Sequence, residues 1–243
     1  VVWTDPPATA SAEDERDQRA ERILDAAAEL LIAWGYRRVT IDEVARRAGV
    51  GKGTVYLHFH TKEALFLTVV MRSQAFWGTR IVQDMRADPA GVLLSRIART
   101  SFLAMHEDAV IRAVVTGDTD TLGTLVRSAS DIIGDLVRER ERTVESHLQE
   151  LRDHGLLRTD LPLAMQRYSY SAVVTGFLVF DPMTPHETHD TRAKADALAQ
   201  TVRAAFELDA GHEALRAAAP RIIEFYQRLM DRIREEIHRQ KLT

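Results

Sequence analysis

Hydrophobic positions along this 243-residue chain recur at helical spacing almost throughout, and the alternation expected of strands is nearly absent. Ile23, Ala27, Leu30, Leu31 and Trp34 form one stripe and predict a first helix over about Gln18 to Trp34, with Gly35 as its C-terminal stop. Thr40 and Glu43 make a capping box for a second helix, in which Ile41, Val44, Ala45 and Ala48 fall on a single face. Gly49 allows a left-handed turn, and Val55 and Phe59 anchor a short third helix. Thr61 caps a fourth, reaching about Met85, and Asp88-Pro89 punctuates it. Further helices are expected at about Ala90 to Glu107, Ala109 to Thr116, Thr121 to His154 (with Gly134 a candidate kink), Leu161 to Phe180, Thr191 to Glu207 and His212 to Arg239. From Ala172 to Phe180 nearly every face is apolar, so this stretch must be buried all round, in a core or against a second subunit. The fold class is all-α, with a three-helix N-terminal unit continuous with a larger bundle. The expected divisions are a disordered arm over residues 1–15, a helix-turn-helix unit over 16–62 and a bundle over 63–243.

The segment from Thr40 to Leu65, TIDEVARRAGVGKGTVYLHFHTKEAL, carries the chemistry. Two short amphipathic segments flank a tight Ala-Gly-Val-Gly turn, the layout of a helix-turn-helix whose second helix enters the DNA major groove. Gly51 and Gly53 let that helix's backbone approach DNA closely. Lys52 and Thr54 project from its first turn, and Tyr56 and His58 sit one turn on with donors suited to phosphate or base edges. Thr40 and Lys62 lie where a backbone clamp flanks the groove. Phe59 reads as a core aromatic, and Arg37, Arg38, Arg46 and Arg47 as solvated charge acting at longer range.

At these residues the chain resembles the TetR (tetracycline repressor) family of regulators, whose pattern runs roughly T-x-x-x-[IV]-A-x-x-A-G-V-S-x-G-T-[LV]-Y-x-[HY]-F-x-x-K-E-x-L. Thr40, Val44, Ala45, Ala48, Gly49, Val50, Gly53, Thr54, Val55, Tyr56, His58, Phe59, Lys62, Glu63 and Leu65 match it, and the likeness extends back to about Ile23. Gly51 departs from it, standing where the family usually has a Ser cap. The resemblance implies a dimeric DNA-binding regulator, in the usual case a repressor released from a palindromic double-stranded operator by a small-molecule effector. It also implies a four-helix interface built from two helices per subunit, for which Leu161 to Phe180 and Thr191 to Glu207 are the candidates. Tyr170, Val173, Val174, Phe177, Leu178, Leu198 and Val202 are then the expected interface residues. Trp77, Phe102, Met105, His106, Tyr168 and Phe177 are the expected lining of an effector pocket favouring an apolar or aromatic molecule. The alternative is a helix-turn-helix protein without small-molecule control.

Composition narrows the remaining classes. A net charge of −4 argues against a protein that coats nucleic acid over its whole surface, yet residues 16–65 hold nine Lys and Arg against seven Asp and Glu. The absence of cysteine removes thiolate chemistry and Cys-ligated metal sites and fits a reducing compartment. The opening residues lack the character of a signal peptide, and the longest apolar run falls short of the roughly 20 residues that span a bilayer, so a cytoplasmic protein without membrane contact is expected. Gly49 to Thr54 imitates a phosphate-binding loop but has Arg46 where its first glycine belongs and Gly53 where Ser or Thr should follow the lysine. His186 and His189 lack a third ligand, and no nucleophile–base set stands out, so neither metal, cofactor nor enzymatic activity is expected.

Overall fold

The computed structural model describes residues 12–115, 125, 128–183, 189–209 and 211–242, and they form a helical architecture with no strand longer than a single bridge. Helix α1 spans Ala12–Trp34, beginning earlier than the expected Gln18. Asp17 of the added turns and Glu21 meet Lys241 of the final helix, and Arg72 meets Glu21 and Asp25. Residues 12–15 of the expected arm are therefore helical, and residues 1–11 lie outside the described residues, as does His186.

Helix α2 spans Ile41–Ala48 and starts at the capping box read from sequence: Thr40 Oγ1 accepts from the Glu43 amide, and the Thr40 amide donates to Glu43 Oε2 at 2.8 Å. Gly49, at φ 68°, ends it in the left-handed conformation that costs a residue with a Cβ about 1–2 kcal/mol. Helix α3 follows at Lys52–His58 and α4 at Lys62–Ala87, the latter capped by Thr61 Oγ1 on the Ala64 amide. Ile23, Leu24, Leu31, Val44, Val55, Phe59, Leu65 and Phe66 close a first core that joins α1–α3 to α4 without a boundary.

Beyond α4 the expected helix over Ala90 to Glu107 is two elements. Pro89–Val92 is a 3-10 turn, Leu93 is extended, and α5 runs over Leu94–Glu107; α6 spans Ala109–Val115. The expected long helix from Thr121 to His154 is broken at Ile133, whose side chain enters the core at the bend. Residues 128–132 precede the bend, α7 spans Gly134–Asp153 beyond it, and residues 121–124 lie outside the described residues. Helices α8 (Leu163–Met183), α9 (Thr191–Phe206) and α10 (His212–Leu242) complete the bundle. A second core gathers Phe102, Leu148, Leu151, Leu198, Val202, Phe206 and Ile222 from α5, α7, α9 and α10. A third links α4 to α10 through Met71, Leu229, Met230, Ile233 and Ile237.

Helix α8 corrects the expectation of all-round burial. Tyr170, Val173, Val174, Phe177 and Leu178 turn toward the second core, whereas Leu161, Met165, Tyr168, Ala172, Val179 and Phe180 are exposed on the isolated chain. Met165, Tyr168, Ala172 and Val179 recur at helical spacing and make one outward apolar stripe.

Candidate nucleic-acid interface

Helix α3 divides cleanly between two faces. Val55, His58 and Phe59, at i, i+3 and i+4, are buried against α1, α2 and α4. Gly51, Lys52, Gly53, Tyr56, Leu57 and His60 are exposed, with Tyr56 at 42% and Leu57 at 68% of their full surface. Thr54 lies between the faces, half-buried. The outward side thus combines an ammonium, a phenol, an imidazole and an isobutyl group, with Gly53 leaving no side chain to hold a partner away. Leu57 is a member of this face that the motif reading did not assign; its spacing of four residues from Gly53 would have revealed it.

Lys52 Nζ pairs with Asp42 Oδ2 at 2.8 Å, both partners being more than half exposed. The hydrogen bond and charge of Asp42 hold the lysine above its ordinary ammonium value, so it stays cationic. Such an exposed pair is weak and exchanges readily for a phosphate. Thr40 is exposed but its hydroxyl is committed to the cap of α2.

His58 corrects its assignment as a DNA contact. Its ring is 2% exposed and Nδ1 lies 3.1 Å from the Lys241 carbonyl. A carbonyl only accepts, so Nδ1 carries the proton. Burial, and after it the nearby Arg16 and Arg19 charges, lower the pKa and keep the ring neutral. Position 58 falls three residues after Val55, on the same inward face. Lys62 likewise points back into the protein: Nζ donates to the Tyr36 carbonyl at 2.7 Å and lies 4.3 Å from the centroid of its ring, and burial lowers its pKa. Tyr36 in turn donates to Glu63 at 2.9 Å, and burial raises its own pKa.

The residues expected to line an effector pocket do not converge on one opening. Phe102 and Met105 are closed into the core, and Trp77 Nε1 donates to Asp108 at 3.0 Å. Tyr168 is 67% exposed on the outward stripe of α8, a correction that follows from its helical register: it stands two residues before the inward Tyr170. His106 belongs to a polar chain joining three helices: its Nε2 is 2.7 Å from Asp181 of α8, and Asp181 accepts from Lys194 of α9 at 2.6 Å. Those two partners hold the Asp181 carboxyl below its ordinary value despite partial burial. Phe102 packs against the imidazole of His106 at 4.4 Å, and Phe177 packs on the second core.

Leu198 and Val202, expected at a subunit interface, are fully buried inside the subunit against α5, a correction. Their helix presents Ala193, Ala197, Thr201 and Ala204 outward instead, at spacings of four, four and three residues. Tyr170, Val173, Val174, Phe177 and Leu178 also pack on the subunit's own core.

The second core holds polar groups that periodicity did not reveal. His147 is buried, with Nε2 2.8 Å from the Val92 carbonyl and Nδ1 3.1 Å from the Tyr226 hydroxyl. Nε2 must donate to that carbonyl, so Nδ1 accepts from the tyrosine. Burial pushes His147 down to about 4 and Tyr226 up to about 12. Glu207, also buried, accepts from the Ser95 amide at 2.7 Å and its hydroxyl at 3.0 Å. Among the described residues no group of three or more His, Asp or Glu side chains is placed to hold a metal, and no helix is long and apolar enough to cross a membrane.

Residues 23–69, from α1 into α4, match the family described as bacterial regulatory proteins, tetR family. The chain is similar to the HTH-type transcriptional activator FasR of Mycolicibacterium smegmatis, 28% identical over 151 residues that cover 58% of this chain and 68% of FasR. It is 40% identical to the HTH-type transcriptional regulator SrpR of Pseudomonas putida over 60 residues, 25% of this chain and 28% of SrpR. Among solved structures, a complex of SmeT with triclosan superposes with a TM-score of 0.59 at 25% identity, covering 79% of this chain and 93% of that one. SmeT represses a multidrug efflux pump of Stenotrophomonas maltophilia. With the capping box, glycine turn and short outward-facing third helix in place, residues 23–69 form the N-terminal helix-turn-helix unit of the tetR-type bacterial regulatory proteins.

Proposed function

We propose that this protein is a homodimeric repressor that reads a palindromic operator with two copies of α3 and releases it when a small molecule binds in the C-terminal bundle. The observation that carries the reading is the outward face of α3, where Lys52, Tyr56, Leu57 and His60 surround the bare backbone of Gly53. Lys52 supplies phosphate attraction, Tyr56 a hydrogen-bonding phenol, and Leu57 an apolar contact suited to a thymine methyl group. Thr40 and Thr54 flank this surface. His58 and Lys62 serve from behind it by fixing α3 and the start of α4.

Dimerisation is supported by the α8 stripe of Met165, Tyr168, Ala172 and Val179 beside the small-residue face of α9. An apolar stripe next to alanines suits close helix packing, and a second copy of the same surface is self-complementary under two-fold symmetry. Effector control is supported by the likeness to SmeT, solved with triclosan. The proposed seat of an apolar or aromatic effector is built from Trp77, Phe102, Met105, His106 and Phe177 of α4, α5 and α8, which share no opening in this conformation, so binding there requires the bundle to open. Binding there shifts the population toward a DNA-incompetent arrangement, and a coupling of about 1–3 kcal/mol gives 5–150-fold release.

The test is an electrophoretic mobility shift on DNA selected by the protein, titrated with salt and repeated with apolar candidate effectors. Lys52→Ala should reduce the slope of log affinity against log salt by about one, and Tyr56→Phe should weaken binding at every salt concentration. Unchanged affinity in both removes the face of α3 from DNA. Binding that no tested effector releases favours the alternative of a regulator without small-molecule control.

A further inference from the structure

Helix α10 extends for 31 residues from the second core to the DNA-reading unit. It crosses α4 closely, with the Met230 thioether filling the space above Gly78, where a Cβ would stand 2.1 Å from the sulfur. Further along, Arg234 donates to Thr79 of α4 at 2.8 Å, and Ile233 and Ile237 close the third core. Its last turn then reaches α1 and α3. Lys241, only 9% exposed, sets its ammonium between Asp17, at 3.0 Å, and Glu21, both on α1. The carbonyl of the same residue accepts the hydrogen bond of His58, the last residue of α3.

A lysine drawn out of water needs its charge matched and its protons bonded, and the half-exposed carboxylates of Asp17 and Glu21 do this at one position only. Here both functional groups of one residue are committed, one to the first helix and one to the recognition helix. Along the chain α3 is tied to α4 by the short Phe59–Thr61 linker and by the first core, where Val55 and Phe59 pack with Leu65 and Phe66. Lys241 therefore adds to the core packing of α3 a polar tie from the far end of the bundle, through α10.

We propose that Lys241 is a positioning residue for operator reading, fixing the orientation of α3 relative to the bundle and so the separation of the two recognition helices in the dimer. This rests on the dimeric reading above. Loss of the contact leaves the outward face of α3 intact but lets it tilt, so affinity for the best-spaced operator falls while affinity for misspaced ones falls less.

The experiment uses the full chain and a set of duplexes carrying one half-site pair, obtained by selection from random DNA, at different separations. Fluorescence anisotropy gives the affinity for each. The wild type should prefer one spacing. Lys241→Ala should flatten that preference by about fivefold or more, whereas Lys241→Arg should keep most of it. Lys241→Glu should lose it, and adding Glu21→Lys should restore part of it. A merely destabilised variant has a smaller active fraction at every spacing, so its ratios stay unchanged; that outcome, or an unaltered preference in Lys241→Ala, overturns the proposal. Should Lys241→Ala fail to fold, the paired Asp17→Asn and Glu21→Gln variant removes the same charge partners with isosteric side chains and is read in the same way. A wild type that binds DNA with no spacing preference overturns the dimeric reading instead.

Discussion

Helices α3 and α8 each leave a face without a partner in the isolated chain, and the two faces have opposite chemistry. On α3, Lys52, Tyr56 and His60 keep the surface hydrated, with Leu57 as its one large aliphatic group. On α8, Met165, Tyr168, Ala172 and Val179 offer water little to bond. A hydrated face can stand free and engage a polyanion when one arrives. An apolar stripe of this length carries a standing cost of roughly 25 cal/mol per Å² of exposed apolar surface and calls for a permanent partner. On the proposed reading one molecule thus has a transient surface and an obligate one, and the largest expected effects belong to the obligate one.

Replacing Met165 and Tyr168 together by Glu should yield folded monomers in sedimentation, with helical circular dichroism unchanged. Operator affinity should drop by about 10²–10⁴, the gain that linking two binding modules supplies. Val174→Glu or Phe177→Arg attacks the inner face instead, so those variants should lose thermal stability. A Met165→Glu, Tyr168→Glu variant that stays dimeric would show that α8 is not the contact.

The interiors of the two regions differ too. Inside the bundle His147 is held neutral at about 4, well below the ordinary value of 6.5 that the unfolded chain regains. Below pH 6.5 the unfolded chain takes up a proton that the folded chain refuses until about pH 4. Stability should therefore fall as pH drops through that window, with no further loss from this group below it. The full shift corresponds to roughly 3 kcal/mol. Urea titrations between pH 7 and pH 4 would show it, and His147→Gln should flatten the curve. His58 is shifted in the same direction and adds to the slope.

The contrast also explains what was legible in the sequence. Thr40, Glu43, Gly49 and Thr61 fix the ends of α2 and the start of α4 through local hydrogen bonds and one positive φ, so the turn and the placement of α3 could be read directly. Side-chain direction on α3 was partly readable: Val55, His58 and Phe59 share one face, yet the motif drew attention to His58 as a donor and passed over Leu57. On α8 an apolar character on nearly every face leaves no period from which to choose the inner side, so Tyr170 was expected outward, Tyr168 inward and Phe177 on both sides. The break at Ile133 was signalled by Gly134. The contacts of Lys241 with Asp17 and Glu21 join residues more than 200 positions apart, and no local pattern announces them.

Within the DNA-facing region, Gly53 separates folding from function. A Cβ there meets nothing within 4 Å. Gly53→Ala should raise stability by up to about 1 kcal/mol, the helix-propensity difference. The same methyl group would stand between the backbone and DNA, so operator affinity should fall. A variant both stabler and equally tight in anisotropy would show that the backbone at residue 53 does not approach the groove.

The smallest effect sharpens the comparison within the reading unit itself. Helix α2 begins with a side-chain cap from Thr40, whereas α3 begins at Gly51, which has none. Gly51 has φ −74° and ψ 151°, an extended conformation that any residue adopts, and a Cβ there would lie 3.7 Å from Thr54 Oγ1, an ordinary contact. Gly51→Ser is therefore free of strain and supplies an oxygen for a free amide of the first turn. Stability should rise by a few tenths of a kcal/mol, about 1 °C in Tm for a chain of this size. A hydroxyl at this exposed position also faces DNA, so operator affinity should rise or hold. A fall would mean that residue 51, like residue 53, must stay bare because backbone and DNA come too close for any side chain.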